Sequence, residues 1–392
     1  MSFPRRFPAN HALVLLTTVI WTAGCATHPP ATQATLPATQ PSPRRLFIHS
    51  LVDKPDAWFT TAEGRRIVDN ILSWQNADGG WWKNYDPRNS RGPLRPDPRS
   101  APGDKDSVWH RVSTFDNDAT HSEMRVLARA YRVTGKEACR QAFERGLAYI
   151  FEAQYPNGGW PQRFPLQDNY GRRITFNDDA MTGVMALLKD IADAKPDFAF
   201  VPDEQRRQAK QAFDRGVEVI LKCQINFNGK LTVWCQQHDE VTFAPAGGRA
   251  YELPSLCGGE SADIVLLLMS IEHPDARIRR SIEAAVAWYE SAKITGKRWT
   301  MVDVPTAPRG RDRVLVDDPT APPIWARFYD LKTGQPFFCS RDGIPRSSVD
   351  QISYERRMGY GWYGQWGRQV EKAYPAWKAR LAQSSTRPGA SR

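Results

Sequence analysis

"RGLAYIFEAQYPNGGWPQRF", residues 145–164, decides the fold, because the chain writes it more than once. "RIVDNILSWQNADGGWWKNY" at 66–85 has the same layout, and "RGVEVILKCQINFNGKLTVW" at 215–234 is a worn third copy. In each, an Arg precedes a Gln by nine residues: Arg66 and Gln75, Arg145 and Gln154, Arg215 and Gln224. The apolar residues between them recur at steps of three and four, the spacing of one helix face. Asn or Asp with Gly then closes each helix. Repetition at this scale marks a fold assembled from copies of one supersecondary unit.

Helices of a second kind lie between the copies. "ATHSEMRVLARAYRVTG", "AMTGVMALLKDIAD" and "SADIVLLLMSIE" alternate with the first kind, and "SIEAAVAWYESAKITG" adds one more. Strand-like runs are short and few. Three helix pairs in sequence predict an all-α fold, an (α/α)3 toroid, with helix starts gathered around a central groove. An ordinary bundle with accidental similarity would not repeat both the Arg-to-Gln spacing and Gly-Gly-Trp.

Two acidic clusters open helices of the second kind. They are "TFDNDATHSEM" at 114–124 and "TFNDDAMTGVM" at 175–185. Asp and Asn are good N-caps, which explains one such residue in each cluster. It does not explain Asp116, Asn117 and Asp118 side by side, nor Asn177, Asp178 and Asp179. Several carboxylates plus an amide oxygen in one groove make a hard-oxygen site suited to calcium. Downstream, "TVWCQQHDEV" at 232–241 precedes "GGRAYELPSLCGGES" at 247–261, and "FFCSRDG" at 337–343 sets another Arg beside Asp and Gly. Two arginines near an acidic site suit a substrate rich in carboxylates, which guanidinium binds as a fork. His238 and His121 read equally well as hydrogen-bonded structural histidines.

The bulk numbers agree with such a substrate. The chain has 392 residues, 41% apolar, and a formal net charge of +10. A basic balance favours polyanions. No Lys/Arg run of the kind found in nucleic-acid-binding tails is present, so nucleic acid is not expected. Fourteen Trp suit stacking on sugars. The first 25 residues read as an export signal: Arg5 and Arg6, the apolar "ALVLLTTVIW", then "TAGC" ending at Cys25. Small residues before Cys25 predict a lipid anchor there, on an envelope lipoprotein of the outer membrane or cell surface. Thr22, where a lipobox has Leu, leaves plain cleavage and secretion open. Residues 26–45 form a Pro/Thr/Ala tether. The folded domain is expected at 46–380, a monomer, with a disordered tail at 381–392. Cys139, Cys223, Cys235, Cys257 and Cys339 lack metal-ligand spacing and are expected as buried thiols, with a Cys223–Cys235 bridge as a minor alternative.

From about Leu46 to Pro375, six ordered motifs resemble polysaccharide lyase family 10, the pectate lyases. They are "QNADGGWWKNYD", "TFDNDAT", "QYPNGGWPQRFP", "FNDDAM", "VWCQQHD" and "RAYELPSLCGGES". The resemblance implies an (α/α)3 toroid, a broad groove, calcium, and endo-cleavage of polygalacturonate by β-elimination. It puts the base on Arg249, an acidic catalytic partner on Asp116, and calcium ligands on Asn117, Asp178 and Asp179. It puts substrate-binding residues at Arg341, Lys83, Trp234 and His238. An arginine base is chemically awkward, because a free guanidinium is essentially always protonated. This chain departs from the family pattern at "SLCGGES" and in the worn third repeat. Two rivals share the architecture: terpene cyclases, which need a hydrophobic cavity rather than Arg-rich polar loops, and a non-catalytic polysaccharide-binding lipoprotein.

Overall fold

The computed structural model describes residues 46–92 and 112–386. The export signal, Cys25 and the tether lie outside the described residues. Eleven α-helices are described: α1 (His49–Val52), α2 (Asp56–Phe59), α3 (Ala62–Trp74), α4 (His121–Thr134), α5 (Glu137–Ala153), α6 (Ala180–Ala192), α7 (Asp203–Cys223), α8 (Glu260–Met269), α9 (Ala276–Ser291), α10 (Tyr354–Gly359) and α11 (Trp366–Thr386). Helices α4, α6 and α8 pack against one another in series, and α3, α5, α7 and α9 cover them. This is the expected α/α toroid.

The repeat has a physical reason. Gln75 donates to the carbonyls of Gly79 and Ala142, both at 2.8 Å, and its own oxygen accepts from Arg145 of the next copy. Gln154 does the same with Gly158, Ala212 and Arg215. Arg145 and Arg215 therefore clamp the Gln of the preceding repeat, and the nine-residue spacing sets the register between neighbouring outer helices. In the third copy Gln224 keeps its bonds to Thr232 and Ser281. The tryptophans that close the three copies are equally structural. Trp81, Trp160 and Trp234 are wholly buried and donate from Nε1 to the carbonyls of Ile71, Ile150 and Ile220.

The last helix was not foreseen. Val370 and Trp377 are buried, and α11 packs on both α8 and α9. The helix runs to Thr386, so the boundary expected at 380 falls inside it. Residues 387–392 lie outside the described residues. The longest strands form one antiparallel hairpin, Lys297–Asp303 with Arg311–Asp317. The five described cysteines are buried and free, so Cys223 and Cys235 are not bridged. Among the described residues no helix is long and apolar enough to cross a membrane.

Candidate active site

Each acidic cluster folds into a tight 3₁₀ turn just before an inner helix, Asp116–Asp118 before α4 and Asn177–Asp179 before α6. The two turns superpose in sequence: Asn117 (φ 54°) matches Asp178 (φ 49°), and Asp118 (φ 61°) matches Asp179 (φ 59°). Asn and Asp are the non-glycine residues that best tolerate this left-handed region. Strain of about 1–3 kcal/mol per such residue persists where the surroundings impose it, commonly at functional sites. Neither turn caps its helix through a side chain. Capping therefore does not account for the clusters. The two turns pack directly against each other.

Asn117, Asp118, Asp178 and Asp179 line a cavity of about 260 Å³ together with Lys83, Asn84 and Tyr85. Lys83 contacts Oδ2 of the buried Asp116, whose Oδ1 has no hydrogen-bond partner. Burial, then the positive Arg163 and Arg249, pull the Lys83 ammonium down to about 8 against the opposing charges of Asp178 and Glu252. Asp178 accepts from Asn177 at 2.7 Å and lies 3.7 Å from Arg327. Asp179 instead faces Asp263 of α8. Burial, then the charge of neighbouring carboxylates, pushes Asp179 up to about 6 and Asp263 to about 7.

An arginine cluster forms the other side. Arg249 donates from its backbone N–H and from Nε to the two oxygens of buried Glu252, both at 2.8 Å. Its guanidinium lies 5.1 Å from the Tyr251 ring centre and 5.7 Å from that of Tyr360. The Tyr360 hydroxyl donates to Glu252 at 2.8 Å. Burial works against the charge of Arg249, but Glu252 outweighs it and holds the group above its ordinary pKa. Arg341 and Arg356 lie 5.5 and 4.4 Å from the same Tyr251 ring.

The chain matches the pectic acid lyase family over residues 75–371. It belongs to that family. It is 32% identical to a mutant family 10 polysaccharide lyase from Cellvibrio cellulosa in complex with trigalacturonic acid, over 85% of this chain and 99% of that one, with a TM-score of 0.70. A second structure of the Cellvibrio cellulosa family 10 lyase is also 32% identical, over 82% of this chain and 94% of that one, with a TM-score of 0.71. A search of the curated proteins finds no match. The protein is thus a polysaccharide lyase, which sets the terpene-cyclase and non-catalytic readings aside.

Within this lyase, Lys83, Asn117 and Asp178 line the cavity and Asp116 supports it through Lys83. Arg249 and Arg341 meet at Tyr251, with Arg341 exposed and paired to Glu355 at 3.1 Å. Trp234 and His238 need correction as substrate-binding residues. Trp234 belongs to the core. His238 is wholly buried, accepts from the Cys235 N–H at 3.1 Å and bonds the Phe243 carbonyl through Nδ1 at 2.8 Å. Burial drives its pKa down to about 4, so it is a neutral structural histidine. Asp179 lines the same cavity and also faces Asp263 of α8.

Among the described residues no three His, Cys, Asp or Glu side chains converge as a metal cage. The donors that line the cavity include Asn117 and Asp178, which bear the hard oxygens calcium takes. They fit a cation whose remaining ligands come from substrate and water. Sequence reasoning missed Arg327, which joins Glu260, lies 3.4 Å from Asn177 Oδ1, and stacks 4.8 Å from the Tyr360 ring centre. It also missed Arg163, 5.8 Å from the Trp82 ring centre. Arg163 had a signal, since it follows Gly-Gly-Trp at nearly the place Lys83 holds in the first copy. Arg327 and Tyr360 lie outside the repeats and carried none.

Proposed function

We propose that this lyase is a pectate lyase that cleaves α-1,4-polygalacturonate within the chain by calcium-assisted β-elimination, giving 4,5-unsaturated oligogalacturonates. One observation carries the reading: an acidic cavity with hard-oxygen donors faces a cluster of arginines stacked on Tyr251 and Tyr360. That is the pairing a polyuronate needs, with cations for its carboxylates and oxygens for a shared metal. The trigalacturonic acid bound by the Cellvibrio cellulosa relative supports this substrate class.

In the reaction a base removes the C5 proton of a galacturonate. The C5–H electron pair becomes the C4–C5 double bond as the C4–O bond breaks. The departing glycosidic oxygen takes a proton and becomes the hydroxyl of the released chain. Calcium held by Asn117, Asp178 and the substrate would draw charge from the C5 carboxylate and make that proton more acidic. Arg341 grips a substrate carboxylate at the rim, and Lys83 offers a cation inside the cavity. Arg249 is assigned as the base, and its pull from Glu252 must then relax when substrate binds. A second reading is favoured by the low pKa of Lys83: near pH 8 about half of it is neutral and able to take the proton itself.

Export and a lipid anchor on Cys25 form part of the proposal, to be read from the mass of the mature N-terminus. The function is tested by following ultraviolet absorbance of the new double bond on polygalacturonate, with and without chelator. Absorbance should rise and chelator should stop it. Cleavage that leaves no double bond would refute β-elimination, and full activity in excess chelator would refute the calcium role.

A further inference from the structure

The hairpin Lys297–Asp303 with Arg311–Asp317 takes no part in the cavity, yet it is fastened to its wall. Arg356 of α10 stacks on Tyr251, the ring shared with Arg249 and Arg341. The next residue, Arg357, holds Asp312 of the hairpin, with Nε to Oδ1 at 2.8 Å. Tyr354, at the start of α10, donates to the Arg311 carbonyl at 2.7 Å. A helix is about 10 Å across. The Arg311–Asp312 end of the hairpin therefore lies roughly one helix diameter from Tyr251.

Its charges change along its length. At the base, Lys297 is neutralised by Asp317 and Arg298 by Asp318, both at 2.5 Å. Towards the tip, Arg309, Arg311 and Arg313 make no ion pair among the described residues. The carboxylate across the strands there is Asp303, opposite Arg311. Arg309 and Arg311 are exposed, and Arg313 is partly covered. Arg311 and Arg313 share one face, about 6.7 Å apart, the two-residue repeat of a strand. Exposed Arg140 and Arg277 are matched by carboxylates, whereas, among the described residues, these three arginines are not. An unmatched row repels itself unless a polyanion covers it, and guanidinium is the group that binds spaced carboxylates as a fork.

We propose that Arg309, Arg311 and Arg313 form a polyuronate-binding rail outside the catalytic cavity, holding the stretch of acidic polysaccharide that runs on past Arg341. This rests on the pectate lyase reading and extends it beyond the site of cleavage. The rail acts on long chains alone, because a short oligomer fills the cavity without reaching it.

The test compares the full chain with the triple variant Arg309→Ala, Arg311→Ala, Arg313→Ala on polygalacturonate and on trigalacturonic acid. Three exposed ion pairs lost together should raise the KM for the polymer about 10-fold. The kcat, and all constants on the trimer, should stay as in the wild type. The polymer KM of the variant should also depend less steeply on salt than that of the wild type, since screening acts on exposed charges. Should the triple variant fold poorly, Arg309→Glu with Arg311→Glu, both at exposed positions, gives the same readout. A wild-type enzyme that cleaves the polymer, with a variant of unchanged polymer KM, overturns the rail alone. A wild-type enzyme that makes no unsaturated product overturns the function reading and the rail with it. Loss of binding to phosphatidylglycerol vesicles, with polymer KM unchanged, would assign the row to membranes and overturn the proposal.

Discussion

Replacing Arg249 by Lys separates charge from shape. The wild-type side chain holds Glu252 through two guanidinium nitrogens and stacks on Tyr251 and Tyr360. Lys keeps the charge but has neither the fork nor the flat face. The fold should survive. Glu252 is buried but keeps the residue-249 backbone N–H at 2.8 Å and the Tyr360 hydroxyl at 2.8 Å. A charged hydrogen bond is worth about 1.5–3 kcal/mol when lost outright. The retained ammonium and the part-exposed setting reduce this to about 1 kcal/mol, a melting shift of about 2–4 °C. Turnover should fall much further, because losing a general base costs about 10²- to 10⁴-fold. The assay is steady-state kinetics on polygalacturonate for Arg249→Lys and Arg249→Ala, with Arg341→Ala beside them. The first two should lose kcat, whereas Arg341→Ala should mainly raise KM. If Arg249→Ala raised KM and left kcat intact, Arg249 would be a binding residue, and Lys83 would become the base.

Other outcomes follow from the same geometry. If Lys83 binds substrate as an ammonium, KM should rise as pH climbs through about 8, where burial and its arginine neighbours make it lose its proton. Lys83→Arg, which stays charged, should flatten that rise in a pH series. Asp178→Ala should abolish chelator-sensitive activity while the helical circular-dichroism signal is kept, because Asp178 caps no helix through its side chain. Trp234→Ala should destabilise the fold by about 3–5 kcal/mol in denaturant melts, as for other large buried aromatics, and should lower activity only through the loss of folded protein.

The toroid was legible because its repeats preserve the contacts between copies. The Arg and Gln that recur nine apart are the residues that bond across the outer helices. The acidic turns were legible for a related reason: two clusters with the same left-handed backbone keep the same short polar residues. The repeated Trp misled for the opposite cause. Many tryptophans suggested sugar stacking, yet a Trp that recurs with the repeat packs the repeat, as Trp234 does. Helix α11 had a helical run in Trp366, Val370, Ala373 and Trp377, but no copy elsewhere to point it out. Arg327 reaches Asp178 and Glu260 only through folding from distant segments. Pairings of that kind leave no local pattern. Asp179 looked equivalent to Asp178, and only the position of Asp263 on α8 distinguishes them.

Cleavage of polygalacturonate in water enriched in heavy oxygen tests β-elimination most directly, because a lyase adds no water across the bond it breaks. Mass spectrometry of the products should show unsaturated oligomers, each one water lighter than its hydrolysis counterpart, with no heavy oxygen incorporated at the cleaved bond. Saturated products carrying the label would identify hydrolysis and contradict the account.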